Sequence, residues 1–236
     1  MIATEGRVFV AGAGGVIGRR LVPLLRQSGY EVFGTTRSPE RGRELERAGA
    51  IPVLVDAYDP VALIQAMTAV EPRVVIHQMT DLSGGFAPER VEGTLAQNAR
   101  LRVEGTRNLI AAARAAGVRR VVAQSIVWVY KPGPEPHDEA DPIDPNQHGV
   151  MALENAVLDA PPIAGLVLRY GWFYGPGANE KPAGSPGVHV DAAALAAVRA
   201  IERGAPGAYN VAEPSPYAST EKARRELGWD PAFRMP

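Results

Sequence analysis

The sequence predicts an α/β protein of the Rossmann type: a doubly wound parallel sheet with strand order 3-2-1-4-5-6, possibly a seventh strand, and a small carboxyl-terminal lobe. Two observations predict this fold. Short apolar runs rich in β-branched residues alternate with segments of helical periodicity along the chain. The first run, residues 8–11, leads directly into three glycines spaced three residues apart and then into an amphipathic helix.

Composition restricts the classes of function. The 236 residues fit one α/β domain, and a hydrophobic content of 46% excludes a disordered chain. The formal net charge is −1 and no long basic run occurs, so we expect no nucleic-acid partner. The four histidines show no metal-ligand spacing, so we expect no metal site.

Cysteine content and hydropathy indicate a location. The sequence has no cysteine, which excludes disulfides and thiol chemistry and fits a reducing cytoplasm. No window of about 18 apolar residues occurs, and the amino terminus lacks the apolar core of a signal peptide. We therefore expect a cytoplasmic protein that does not span a membrane.

The glycine-rich turn after the first strand carries the main functional signal. Gly12 allows a sharp turn, Gly15 lets a pyrophosphate approach the backbone, and Gly18 lets the helix pack close to the sheet. Free N–H groups at the helix start then bind phosphate, helped by the helix dipole. The turn residues expected at a dinucleotide are Gly12, Ala13, Gly14, Gly15, Val16, Ile17 and Gly18. The alternative is a glycine-rich turn such as any α/β protein can have.

The second strand, residues 31–36, ends at a position that selects the cofactor. An acidic residue there would bind a ribose 2′-hydroxyl, but this chain has Thr36 followed by Arg37. A guanidinium binds a 2′-phosphate in a forked, charge-assisted geometry, so we expect NADP(H) rather than NAD(H). The alternative is that Arg37 only starts a solvated basic turn.

The next two strands complete the predicted cofactor side of the sheet. Strand 51–55 delivers Asp56 and Ala57 to the place of an adenine ring, although Asp56 could equally be a turn residue. Strand 73–77 ends at the point where the strand order reverses and ligands bind. Its end supplies Gln78, Met79 and Thr80 to the cofactor and Asp81 to the substrate, and the loop 81–88 is expected to be mobile.

The second half of the chain supplies the remaining candidates. A helix over residues 91–116 carries Asn98 near the cleft and is interrupted by the small residues Gly105 and Thr106; strand 119–127 follows it. A loop rich in proline and aspartate, 131–147, precedes a helix over 147–159 and strand 163–168. Beyond that strand we expect Tyr170 and Gly171 at the cofactor, and Trp128, Trp172, Phe173 and Tyr174 at the substrate. Core packing is the alternative for Trp172 and Tyr174.

These residues resemble the extended short-chain dehydrogenase/reductases of the NAD-dependent epimerase/dehydratase type. The likeness is carried by GAGGVIG at 12–18, NARLRVEGTRNLIAAARAAGVRRVV at 98–122, LRYGWFYGPG at 168–177, VHVDAAALA at 188–196, YNVAEP at 209–214 and KARRELGWDP at 222–231. The resemblance implies one domain over 1–236, with a dinucleotide-binding core over 1–170 and a small substrate lobe over 171–236 interleaved with it. It also implies a homodimer through the helices near 91–116 and 147–159.

The resemblance implies a catalytic tyrosine with a lysine four residues later and an upstream serine, and here the chain departs from the family. His148 takes the tyrosine position and Ala152 the lysine position, and none of the seven tyrosines has lysine four residues on. The catalytic candidates are therefore Ser125, one residue early, Tyr130, and His148, whose imidazole titrates near neutrality. A solvated histidine at a helix start is the alternative for His148.

Three functions follow as hypotheses. The first is an NADP(H)-dependent oxidoreductase or epimerase that acts on a small carbonyl or sugar-like substrate with altered acid and base groups. The second is a sensor or regulatory protein that binds NADP(H) without turnover. The third is a non-redox lyase or isomerase on the same fold.

Overall fold

The computed structural model describes residues 6–82, 87–178 and 180–236, and its centre is a parallel sheet of seven strands. The strands, in chain order, are β1 (Arg7–Ala11), β2 (Glu31–Thr36), β3 (Ile51–Leu54), β4 (Val74–His77), β5 (Arg120–Ile126), β6 (Ala164–Tyr170), the short β7 (Trp172–Tyr174) and β8 (Gly187–His189), and β9 (Gly207–Val211). The sheet order is β3-β2-β1-β4-β5-β6-β9, which confirms the predicted order and identifies β9 as the seventh strand. A central sheet of this order is the doubly wound architecture.

Helices cover both faces of the sheet. They are α1 (Gly18–Gln27), α2 (Pro39–Arg47), α3 (Pro60–Val70), α4 (Val91–Arg100), α5 (Thr106–Ala115), α6 (His148–Leu158) and α7 (Val190–Glu202). Two π-helical turns accompany them, one over Leu101–Gly105 between α4 and α5 and one over Ala223–Leu227. In the described part of the chain, no helix is both long and apolar enough to cross a membrane.

Alternation along the strands divides the core into two apolar layers. On β1, Val8 and Val10 pack with α1 and α7, whereas Phe9 and Ala11 pack with α3, α5 and α6. Because side chains alternate between the two faces of a strand, residues 8–11 of β1 and all of β4 are buried on both sides, whereas β2 and β3 toward the sheet edge are only partly buried. The continuous apolar strands of the sequence are therefore explained by a sheet with helices on both faces.

Two elements differ from the sequence-based expectation. The helix expected over 91–116 is interrupted by a π-helical turn that ends at Gly105, one of the two small residues noted there. A β-carbon at Gly105 would lie 2.7 Å from Leu101 Cδ1, so a larger residue there would require the Leu101 side chain to move. The aromatic segment 172–174 forms a two-stranded parallel sheet with β8, which the sequence did not predict. Residues 83–86 of the loop expected to be mobile lie outside the described residues.

Candidate functional site

A cleft of about 550 Å³ lies at the carboxyl ends of β1, β2, β3 and β4. Parallel sheets bind ligands at this edge, where the strand order reverses. The lining residues that the sequence predicts at the site are Gly12, Gly14, Gly15, Thr36, Arg37, Asp56, Ala57, Gln78, Met79, Thr80 and Asp81. Nine further lining residues are not among those predicted from the sequence, namely Ala11, Thr35, Ser38, Arg41, Val55, Tyr58, Leu63, Leu101 and Leu109.

The floor of the cleft is the glycine-rich turn after β1. Gly12 has φ 91°, and a β-carbon there would lie 2.7 Å from the Gln78 carbonyl carbon, so both backbone conformation and space require glycine. A β-carbon at Gly14 would meet nothing within 4 Å. A β-carbon at Gly18 would lie 2.3 Å from the Ala13 carbonyl oxygen, so Gly18 lets the helix pack on the turn itself, whereas we expected a contact with the sheet.

The start of α1 is built to receive an anion. No side chain caps this helix, and its first turn carries no acidic residue, whereas Ser38 caps α2 and Asp59 caps α3. Within the described residues, no hydrogen bond engages the backbone N–H groups of Val16 and Ile17. Unpaired N–H groups at the positive end of a helix dipole favour phosphate. The side chains of Ala13 and Ile17 are buried in the core, so only backbone atoms of these residues can serve a ligand.

The end of β2 brings basic groups to one side of the cleft. Arg37, Ser38 and Arg41 line it together, because the side chain of Ser38 accepts a hydrogen bond from the Arg41 N–H and starts α2 there. Both guanidinium groups are exposed, and neither forms an ion pair within the described ranges. The amino end of α2 adds its dipole to these two charges. This corner of the cleft can therefore hold a dianionic group.

The end of β3 forms the opposite wall. Asp56 Oδ1 accepts a hydrogen bond of 2.9 Å from the Tyr58 N–H, so Asp56 both closes a turn and lines the cleft. The Tyr58 ring lies under the Arg100 guanidinium, 4.5 Å from its centre, and burial raises the pKa of the Tyr58 hydroxyl. The Asn108 amide donates to the Ala57 carbonyl at 2.9 Å and fixes this wall to α5.

The end of β4 is fastened by two buried polar side chains. His77 Nε2 lies 2.9 Å from Thr106 Oγ1, and its Nδ1 accepts from the Met79 N–H at 3.2 Å. Burial lowers the pKa of His77 to about 4, so the imidazole is neutral at physiological pH. Asn98 Oδ1 accepts from the Asp81 N–H at 2.9 Å, which places Asn98 behind the cleft wall rather than on it.

Two of the three catalytic candidates are buried in a polar network. Ser125 donates to Glu154 Oε1 at 2.6 Å, and Arg169 donates to both oxygens of the same carboxylate, at 3.1 and 2.7 Å. Arg169 also donates to the Tyr130 hydroxyl at 3.0 Å, which in turn donates to Asn210 Oδ1 at 2.6 Å. Burial raises the pKa of Tyr130 to about 12. The hydroxyls of Ser125 and Tyr130 are thus hydrogen-bonded to other side chains, and neither residue is part of the cleft lining.

The remaining candidates lie outside the cleft. His148 is exposed at the start of α6, as the alternative for it supposed. Trp128 and Trp172 meet edge to face at 6.4 Å, Phe173 packs on Tyr170, and none of these rings is part of the cleft lining. The Tyr174 hydroxyl donates to Glu213.

Tyr170 and Gly171 lie next to the cleft but not in its lining. The Tyr170 ring is fully buried in the core, and its hydroxyl donates to the Ala193 carbonyl at 3.1 Å and also lies near Gln78 of the cleft. Gly171 is buried too, and its N–H donates to the Val211 carbonyl.

The chain is similar to known proteins over nearly its whole length. Residues 8–226 match the family model "NAD dependent epimerase/dehydratase family". A Streptomyces protein named 3-diazoavenalumate denitrifying reductase is 40% identical over 98% of this chain and 84% of its own length.

Solved structures share the fold at lower identity. The UDP-glucose 4-epimerase of Thermus thermophilus, solved with NAD, has a TM-score of 0.77 at 21% identity and covers 97% of this chain and 95% of its own. MoeE5, solved with UDP-glucuronic acid and NAD, has a TM-score of 0.78 at 22% identity over 97% and 95% of the two chains. The family-model match over residues 8–226 and the relative that is 40% identical over 98% of this chain show that the chain belongs to the NAD-dependent epimerase/dehydratase family.

Proposed function

We propose that this protein is an NADP(H)-dependent reductase of a small aromatic substrate. The observation that carries the proposal is the cleft, in which an uncapped helix start, a glycine floor and two arginines surround a space of dinucleotide size. The full-length relative named as a reductase supports the reaction class.

The basic corner at the end of β2 supports NADP(H) over NAD(H). Arg37 and Arg41 lie on either side of Ser38, at the amino end of α2. A 2′-phosphate there gains charge-assisted hydrogen bonds from two guanidinium groups, whereas a 2′-hydroxyl gains less from them. Glu40 lies nearby, but its carboxylate accepts from the Ser38 hydroxyl at 2.5 Å and is therefore engaged.

Within the described residues, the cleft lining offers no obvious proton donor, and this favours a substrate whose reduction needs no proton from the protein. A bound reduced nicotinamide supplies a hydride. Carbonyl reduction also needs a proton on the new alkoxide, and Ser125 and Tyr130 are buried and committed elsewhere. The relative's name describes a denitrifying reduction of a diazo compound. An arenediazonium ion that takes up a hydride at the ring carbon forms a C–H bond as its C–N bond breaks, and dinitrogen leaves without a proton from the protein.

We therefore favour an aromatic diazo compound as the substrate class. The half-buried rings of Trp128 and Trp172 lie beyond the strand ends and offer aromatic surface to such a substrate. A small carbonyl or sugar-like substrate is the second candidate, with exposed His148 as its proton donor.

The test is to follow the absorbance of NADPH with arenediazonium salts, aldehydes, ketones and enones as separate substrates. We expect consumption of NADPH and release of dinitrogen with the diazonium salts, at a rate that His148→Ala leaves unchanged. Turnover with carbonyl compounds that His148→Ala abolishes would favour the second candidate. Tight NADPH binding without turnover of any compound would indicate a sensor.

We also propose a homodimer through the helices of residues 91–115 and 148–158. Leu95 of α4 is 52% exposed and Val103 of the following π-helical turn is 42% exposed. They are eight residues apart, about two helical turns, and so lie on one side of the helix. Leu95→Glu should convert the dimer to a monomer in sedimentation analysis, and an unchanged sedimentation coefficient would contradict this interface.

A further inference from the structure

Arg102 occupies an unusual place in the backbone. It is the second residue of the π-helical turn Leu101–Gly105, which joins α4 to α5. Single π-helical turns inside α-helices are uncommon and often occur at functional sites. The turn lies between Asn98, which fixes the loop after β4, and Thr106, which contacts His77 at the end of β4. Arg102 is therefore held beside the strand end at which the described cleft stops.

Arg102 also lies beside the part of α6 where the family resemblance places a lysine. A β-carbon at Gly149 of α6 would lie 3.1 Å from Ala99 Cα, so the two helices nearly touch there. Both helices follow neighbouring parallel strands and run in the same direction. Arg102 lies three residues after Ala99, and Ala152 lies three residues after Gly149. Each step is a rise of about 4.5 Å along its helix. The π-helical turn itself packs against α6.

The guanidinium of Arg102 is partly desolvated but uncommitted. Arg102 is half-buried, and no hydrogen bond or ion pair engages it within the described residues. The opposite charge that acts on Arg102 is that of Glu154, whose carboxylate already accepts hydrogen bonds from Ser125 and Arg169. Burial lowers the pKa of Arg102, and the charge of Arg102 adds to the lowering of the pKa of His77. Partial burial of a cation without a hydrogen-bonded partner costs folding free energy, and its N–H donors remain available to a ligand.

We propose that Arg102 binds the ribose hydroxyls of the nicotinamide half of the cofactor. It would then provide, from the turn between α4 and α5, the positive charge that is missing from α6, where Ala152 occupies the lysine position of the family. The forked N–H groups of a guanidinium match two neighbouring hydroxyl oxygens. Arg102 is thus a positioning residue, which fixes the nicotinamide ring above the end of β4. This inference rests on the proposed NADP(H)-dependent function.

The test separates the two halves of the cofactor. Calorimetric titrations with NADPH and with adenosine 2′,5′-bisphosphate, which lacks the nicotinamide half, are compared for the unmodified chain, Arg102→Gln and Arg102→Lys. The control Arg107→Gln removes an exposed arginine from the same helical segment. We expect Arg102→Gln to weaken NADPH binding about tenfold, the value of one charged hydrogen bond, and to leave the bisphosphate unaffected. Arg102→Lys should recover part of the loss.

Four outcomes overturn the inference. One is that Arg102→Gln binds NADPH as tightly as Arg107→Gln does, and another is that it loses NADPH and the bisphosphate equally. If Arg102→Gln does not fold, Arg102→Lys provides the test. A ratio of NADPH affinity to bisphosphate affinity equal to that of the unmodified chain then refutes the role of Arg102. Failure of the unmodified chain to bind NADPH refutes the proposed function itself and this inference with it.

Discussion

Arg169 donates two hydrogen bonds to the carboxylate of Glu154, at 2.7 and 3.1 Å, and both side chains are almost completely buried. The pair joins β6 to α6 and also holds Ser125 and, through Arg169, Tyr130. Ser125 and Tyr130, two of the candidates for proton transfer, are thus parts of a buried hydrogen-bond network. The cleft proposed for the cofactor lies instead at the ends of β1 to β4.

Breaking this pair should destabilise the fold. Glu154→Ala leaves the Arg169 guanidinium buried without its partner, and we expect a loss of about 3–5 kcal/mol in the free energy of unfolding. Urea denaturation followed by circular dichroism measures it. The double variant Glu154→Leu with Arg169→Met should lose less, because it leaves no unpaired charge. A loss from Glu154→Ala no larger than that from Glu104→Ala, which breaks an exposed pair with Arg100, would contradict the structural role.

His77 should make the stability depend on pH. Burial lowers the folded-state pKa of His77 to about 4, below the usual value near 6.5 that holds in the unfolded chain. The unfolded chain therefore binds the proton more readily, so the stabilisation is complete above pH 6.5 and is lost as pH falls toward 4. We expect the unmodified chain to lose about 2 kcal/mol more than His77→Asn between pH 7.5 and about 5. Parallel pH profiles of the two proteins in urea denaturation would show that His77 is not the group responsible.

The two arginines at the end of β2 should set cofactor preference. Arg37→Ala combined with Arg41→Ala removes both cations from the predicted 2′-phosphate position, and we expect NADPH affinity to fall at least about tenfold while NADH affinity changes little. Fluorescence titration of each reduced cofactor measures the change. The matched control is Arg47→Ala, in the last turn of the same helix and outside the cleft lining. Equal losses for the two cofactors would refute the assignment of the phosphate.

Two glycines of the same turn should respond differently to alanine. Gly12→Ala forces a left-handed backbone and a contact of 2.7 Å with Gln78, so we expect a poorly folded protein. Gly14→Ala has room for its methyl group and should fold normally, but the methyl adds to the cleft floor and should weaken dinucleotide binding. Thermal unfolding and NADPH titration separate these effects. Normal folding of Gly12→Ala would show that the turn is held less tightly than the structure indicates.

The sheet could be predicted from sequence because its determinants are local. The apolar run at 8–11 is buried on both faces, strand 31–36 is buried at alternate residues, and Asp56 and Arg37 follow from the strand ends that precede them. The polar network and the β7–β8 pair could not be predicted in this way. Ser125 meets Glu154 and Tyr130 meets Asn210 across long stretches of sequence, so no local pattern reports either contact. The place of Arg41 near the cleft could have been predicted, because Arg41 lies one helical turn after the Ser38–Pro39 helix start.

The cleft is proposed to bind NADP(H), and calorimetry of the unmodified chain with NADPH is the decisive experiment. We expect one site per chain, binding at least about tenfold weaker for NADH, and competition by adenosine 2′,5′-bisphosphate. Absence of heat with either cofactor at millimolar concentration, or NADH binding as tight as that of NADPH, would contradict it.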